Sequence, residues 1–201
     1  MRIRIARRAV CGVAGAAALL LAGVAQAALQ DRDLNGDTVV DAFYDTDLGI
    51  TWLRDANAIG LKPWNVAAAW ADNFSLGGYD DWRLPTSDTC RGSNCSGSEM
   101  GHLWITELGN SAANPRNTGN FQNLEENFYW SGTDFAQDPS AAWYFLMSGA
   151  GYQYAFYKEQ GSTLYAMAVH PGDVGAVPEP ETYALMLAGL AALAVAPRRP
   201  R

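Results

Sequence analysis

The stretch Ala141-Ala142-Trp143-Tyr144-Phe145-Leu146-Met147-Ser148, followed by Gly149-Ala150-Gly151 and then Tyr152-Gln153-Tyr154-Ala155-Phe156-Tyr157-Lys158, reads as two β-strands joined by a glycine turn. Trp143 to Met147 is apolar without alternation, so that strand is expected to be buried on both faces. Tyr152, Tyr154 and Phe156 do alternate, which puts three rings on one face and Tyr157 on the other. The default reading of those rings is core packing. The alternative is a sugar-stacking face, because the apolar faces of aromatic rings match pyranose C–H surfaces.

Working outward, Phe128 to Thr133 precedes this pair and Thr163 to Val169 follows it, both with strand composition. Gln160-Gly161-Ser162 is the intervening turn. Asn110 to Asn127 lacks periodicity and is expected to be loop. Before it, Ser96-Gly97-Ser98-Glu99 matches a capping box, and Met100, Leu103, Trp104 and Leu108 form the apolar face of a short helix stopped by Gly109. Pro63 to Phe74 reads as another helix, with Val66, Trp70 and Phe74 at a spacing of four and Gly77-Gly78 beyond its end. Thr38 to Tyr44 and Ile50 to Arg54 read as strands. The order β-β-α-α-loop-β-β-β-β predicts an α+β domain on an antiparallel sheet with two helices.

The two ends of the 201-residue chain differ in kind from this middle. Residues 1–27 carry Arg2, Arg4, Arg7 and Arg8, an apolar run from Ala9 to Ala25, and Ala25-Gln26-Ala27, the pattern of a secretory signal peptide cleaved after Ala27. Cys11 leaves with that signal. Residues 177–201 begin Val177-Pro178-Glu179-Pro180-Glu181, continue with the mostly apolar Thr182 to Ala196, and end with Arg198, Arg199 and Arg201. Those apolar residues span only about 22 Å as a helix, short of a hydrocarbon core of ~30 Å. A short motif, a marginal span and a basic end describe a processed sorting tail with transient inner-membrane insertion.

The whole chain has net charge −7. Setting aside four arginines at one end, and three arginines and two glutamates at the other, leaves 19 acids against 7 bases in residues 28–176, a net charge of −12. No basic footprint remains for nucleic acid. The seven tryptophans all lie in the middle, which excludes intrinsic disorder.

Two resemblances follow from these residues. Val177 to Leu193 with the terminal arginines resembles the PEP-CTERM sorting signal, Pro178, Glu179 and Pro180 matching its motif. That resemblance implies recognition by an exosortase in a Gram-negative bacterium that makes exopolysaccharide, after passage through the secretion machinery. In the middle, Asp45-Thr46-Asp47-Leu48-Gly49-Ile50-Thr51-Trp52-Leu53-Arg54-Asp55-Ala56-Asn57, Gly77-Gly78-Tyr79-Asp80-Asp81-Trp82-Arg83-Leu84-Pro85-Thr86, Tyr129-Trp130-Ser131-Gly132-Thr133, Ala142-Trp143-Tyr144-Phe145 and Ala168-Val169-His170-Pro171-Gly172-Asp173-Val174 resemble the Lcl C-terminal domain family. Trp82 to Thr86 followed by Glu99 also resembles formylglycine-generating-type domains, which implies a C-type lectin-like fold. His170 stands where the family more often has Arg, and Cys90 to Cys95 sits in an apparent insertion.

Candidate chemistry is sparse. Asp31, Asp33, Asn35 and Asp37 surround Gly36 with the spacing of a calcium loop, but Ala42 occupies the position of its bidentate carboxylate. The default reading is a β-hairpin with Asn35-Gly36 as a type I′ turn, and calcium is the sole cofactor the sequence raises. Cys90 and Cys95 are expected to form a local disulfide in an exported protein. His102 reads as a helix-surface residue, and no nucleophile, Walker or zinc-protease pattern accompanies either histidine. Asp80-Asp81 and Glu125-Glu126 are the only adjacent acid pairs weighed for glycoside hydrolysis, and solvated surface is the plainer reading.

The sequence thus predicts an exported, non-catalytic domain delivered to the cell surface or exopolysaccharide matrix of a biofilm, binding carbohydrate or matrix polymer. The alternative is an extracytoplasmic enzyme, either a carboxylate glycosidase or a formylglycine-generating-type oxidase. A third reading is a matrix structural protein whose acidic surface gathers divalent cations.

Overall fold

A computed structural model describes residues 29–159 and 161–175. The expected signal peptide, the expected sorting helix and Pro178, Glu179 and Pro180 lie outside the described residues.

Instead of one sheet there are two, each four-stranded and antiparallel. The first has the order β1 (Leu29–Arg32), β2 (Ala42–Asp45), β3 (Ile50–Leu53), β8 (Val169–Pro171). The second has the order β4 (Gly92–Ser93), β7 (Tyr152–Tyr157), β6 (Ala141–Leu146), β5 (Phe128–Asp134). Short connections join β1 to β2 to β3 and β5 to β6 to β7, whereas β4 pairs with β7 across a long stretch of chain and β8 returns from the end of the domain to pair with β3. The salt bridge Arg32–Asp173, 2.6 Å long, ties the two ends of the first sheet together. The α+β class therefore holds, with a second sheet the periodicity did not separate.

The expected strand Thr163 to Val169 is not one. Leu164 and Ala166 to Val169 are buried in succession, and the segment threads between the sheets. Before it joins β8 at Val169 it forms isolated bridges, Lys62 to Leu164, Tyr129 to Tyr165 and Arg83 to Val169, and its Ala168 carbonyl accepts from the Leu53 N–H of β3. A segment surrounded on all sides is apolar without period, and that mimics a central strand. Trp143 to Met147 departs from its reading in the other direction. Trp143, Phe145 and Met147 are buried, but Tyr144 and Leu146 between them are half-exposed, so β6 has one covered face and one partly open face.

Helix α1 (Trp64–Asn73) buries Ala67 and Ala71, not the predicted Val66 stripe. Val66 is 43 % exposed, while Trp70 and Phe74 flank the contact. Small residues let the helix lie close to the second sheet, where Ala67 and Ala71 meet Leu84, Trp130, Ala142, Leu164 and Ala166. Helix α2 (Glu99–Gly101) is capped by Ser98, whose hydroxyl accepts from the Gly101 N–H, so the capping box at Ser96 is shifted by two residues. The helix continues as a π-helical stretch, His102–Glu107. Met100, Leu103, Trp104 and Leu108 are all buried as read, in the main core with Phe43, Trp52, Tyr129, Phe145 and Met167.

Candidate functional site

Strand β7 alternates in burial from Tyr152 to Phe156. Gln153 is fully buried and its amide donates to Asp88 and to the Cys90 carbonyl, which fixes the strand's orientation. Tyr152, Tyr154 and Phe156 on the opposite side are 39 %, 40 % and 42 % exposed. The expectation of core packing for these rings is therefore corrected: the three face solvent. The sheet register sets Tyr144 opposite Tyr154 and Leu146 opposite Tyr152. Phe128, at 37 % exposure, packs edge-on against Tyr144 with ring centroids 5.1 Å apart. Phe128, Tyr144, Phe156 and Leu164 line an apolar groove of about 270 Å³. Burial raises the Tyr144 phenol pKa, and the neighbouring Tyr152 and Tyr154 hydroxyls act in the same direction. The Tyr144 hydroxyl stays protonated, able to donate and accept. Phe128 and Tyr144 were not singled out by sequence, because neither lies in the alternating stretch.

The acidic segment Asp31, Asp33, Asn35, Asp37 links β1 to β2. It is a hairpin, but not through a type I′ turn. Nine residues, 33–41, separate the strands, and positive φ falls on Gly36 and Thr38 instead of on Asn35 and Gly36. The carboxylate of Asp33 accepts from the N–H groups of Asn35, Gly36 and Thr38. Asn35 Oδ1 accepts from the Asp37 N–H, and Asp37 Oδ1 from the Val39 N–H. The Thr38 N–H, followed by those of Gly36 and Asn35, holds Asp33 below its ordinary pKa. Asp31 sits apart, on strand β1. The loop is thus organised by its own backbone.

Cys90 and Cys95 are joined by a disulfide with Cα atoms 5.6 Å apart, as expected. The bridged loop contains β4, the two-residue edge strand that pairs with β7.

A third grouping was not legible in the sequence. His102 is not a helix-surface residue; its side chain is only 16 % exposed, and Nε2 lies 3.0 Å from Glu107 Oε1. The same nitrogen is 3.9 Å from Asp45 Oδ1 and 3.9 Å from Asp47 Oδ2. Asp45 is fully buried at the end of β2, where Oδ1 accepts from the Asp47 and Leu48 N–H groups and Oδ2 faces the Trp52 indole N–H. Burial raises the Glu107 pKa, and the Asp45 charge adds to this, with His102 opposing. Residues five apart diverge on an α-helix, but a π-helix returns to the same face after about five residues. Helical spacing rules therefore missed the His102–Glu107 pair.

The acid pairs weighed for catalysis are all exposed, and Glu126 is paired with Arg116. His170 lies on β8 with its ring edge-on to Trp82, 5.5 Å between centroids. Among the described residues no helix is long and apolar enough to cross a membrane.

Comparison with known proteins gives two matches. The PEP-CTERM protein-sorting motif matches residues 176–199. It indicates an exported protein sorted by way of the membrane, with an exosortase as its processing partner. No curated protein and no solved structure matches the chain. The Lcl C-terminal domain matches residues 41–170, from the strand pair β2–β3 to β8, and the chain belongs to that family.

Proposed function

We propose that the chain is an exported, non-catalytic binding module of the cell surface or exopolysaccharide matrix, which holds carbohydrate or matrix polymer on the aromatic face of its second sheet. In this reading residues 1–27 are a signal peptide removed after Ala27, residues 28–176 are the binding domain, and residues 177–201 are the sorting signal. The architecture is C-type lectin-like, a reading supported by the pairing of the last strand, β8, with β3 near the start of the domain.

The observation that carries the proposal is the open row Tyr152, Tyr154 and Phe156 beside the groove of Phe128, Tyr144 and Leu164. Three large rings each about 40 % exposed on one strand forgo part of a burial that is worth about 1.5–3 kcal/mol for a whole Phe side chain. A ligand that covers them recovers part of that free energy. A pyranose does so by stacking, while its hydroxyls remain hydrated or bond to the tyrosine O–H groups. The test is a glycan array probed with and without calcium, using the wild-type chain and Phe156→Ala. Binding that survives calcium removal and falls about tenfold in the variant is expected, from the loss of one stacking ring. Absence of binding to any glycan or exopolysaccharide overturns the proposal, and binding that requires calcium moves the site to the Asp31–Asp37 loop.

A further inference from the structure

We propose that Asp45, His102 and Glu107 form a binding site for one divalent transition-metal ion, with Asp47 as a fourth ligand from the β2–β3 turn. The three side chains each offer a ligand atom, and these atoms lie within 4.8 Å of one another. Around an ion with bonds of about 2.1 Å, neighbouring ligand atoms sit ~3.0 Å apart and opposite ones ~4.2 Å apart. The separation of His102 from Glu107, 3.0 Å, already has the first value. Those to Asp45 and Asp47, 3.9 Å each, need side-chain adjustments of less than an ångström.

Charge balance is a separate argument. Among the described residues, the ion-pair partner of Asp45, Asp47 and Glu107 is in each case His102. A protonated imidazole would still leave two negative charges uncompensated, and the side chains of Asp45 and Glu107 are 0 % and 7 % exposed. Buried carboxylates without compensation are costly, and no arginine or lysine serves here as it does for Glu99 or Asp173. One divalent cation on a neutral imidazole balances two of the three carboxylate charges and leaves one.

The backbone is arranged for the same grouping. The π-helical stretch stacks His102 over Glu107, five positions apart, and such stretches occur frequently at functional sites. Asp45 is held in place by the Asp47 and Leu48 N–H groups and the Trp52 indole, the kind of outer support that orients metal ligands. An imidazole with carboxylates suits zinc, manganese or cobalt, whereas calcium favours all-oxygen sets. The ion would clamp the β2–β3 hairpin to the helix that leads out of the disulfide loop. The site shares no residue with the aromatic face, so it stands or falls independently of glycan binding.

The test is calorimetric titration of the full chain, purified in detergent and stripped with EDTA, with Zn²⁺, Mn²⁺ and, as a comparison, Ca²⁺. Co²⁺ is added separately to read visible absorption bands. One saturable equivalent of Zn²⁺ or Mn²⁺, tighter than Ca²⁺, with a rise in Tm on binding, is expected. Glu107→Gln, which keeps the shape of the side chain, should weaken binding at least about tenfold and abolish the Tm rise. His102→Ala should remove the Co²⁺ bands, and Asp138→Asn, on an exposed turn, should leave them unchanged. If His102→Ala fails to fold, Glu107→Gln decides. No saturable transition-metal binding in the wild type means the cluster is an imidazolium ion pair only and overturns the proposal. Binding unchanged in Glu107→Gln overturns it equally.

Discussion

Arg83 donates through both terminal nitrogens to the two carboxylate oxygens of Glu99, each hydrogen bond 2.7 Å long, and Glu99 Oε2 also accepts from the Thr86 N–H. Sixteen residues apart in sequence, the two side chains fasten the Trp82–Thr86 segment to the first turn of α2. This is a charge-assisted, two-pronged contact with the Glu99 side chain only 14 % exposed. Glu99 at the helix N-terminus also complements the backbone N–H groups there.

Replacing either partner should therefore destabilise the fold measurably. Arg83→Lys and Glu99→Gln are each expected to lower stability by about 1–3 kcal/mol, because one remaining hydrogen bond cannot reproduce the fork. Urea denaturation of the two variants and their combination checks this. Additive losses would show that the fork contributes nothing as a pair.

Two adjacent glycines should behave differently on substitution. Both Gly77 and Gly78 have positive φ, so alanine at either is expected to cost about 1–2 kcal/mol. At Gly77, however, a Cβ would lie 1.9 Å from the Leu34 carbonyl oxygen, whereas at Gly78 it meets nothing within 4 Å. Gly77→Ala should thus be the more damaging by a further 1 kcal/mol or so, since backbone must move to admit the methyl group. Equal melting temperatures for the two variants would contradict the close approach of the two loops.

The disulfide should contribute modestly. Cys90 and Cys95 are five positions apart, and closing so short a loop removes unfolded-state entropy worth about 2 kcal/mol at most. Cys90→Ser with Cys95→Ser is expected to fold and to show hydrogen exchange loosened mainly at Gly92, Ser93 and the facing residues of β7. Loss of folding in the double variant would assign the bridge a larger role than loop pinning.

Asp33 should make stability depend on acid. Its pKa is lowered by the Thr38 N–H first, with those of Gly36 and Asn35 adding to it. A carboxyl whose pKa is depressed in the folded state contributes stability that is present above its unfolded pKa and lost as pH falls through the folded one. Asp33→Asn is therefore expected to lower Tm at pH 7, with the difference from wild type shrinking as pH falls below about 4. A difference that stays constant with pH would mean the N–H groups do not favour the ionised form.

Local periodicity was enough for the elements that are long or two-faced. Helix α1 (Trp64–Asn73) and strands β5, β6 and β7 have ends at most two residues from where the pattern puts them. Strands β1 and β4 escaped, the first a four-residue edge containing Asp31 and Arg32, the second two residues inside the disulfide loop. Neither is long enough for alternation to register, and both exist because a neighbouring strand leaves N–H and C=O groups to be paired. The aromatic row on β7 was visible as a pattern, but its side was not. Alternation says that Tyr152, Tyr154 and Phe156 share a face; only the tertiary packing decides which, because the main core lies against Phe145 and Met147 on the other face and α1 covers this one only around Ala142 and Trp130.

The sequence by itself determined the export route, the α+β class, the local disulfide and the family, because each is written in contiguous residues or in a simple period. Tertiary structure alone decided that there are two sheets, that residues 164–168 cross the core, and that Asp45, His102 and Glu107 meet. Asp45 and His102 are brought together by the packing of the β2–β3 hairpin on the helix, and His102 and Glu107 by a π-turn. The first depends on contact between segments far apart in sequence and the second on a local departure from the α-helical period, and an α-helical or strand pattern encodes neither.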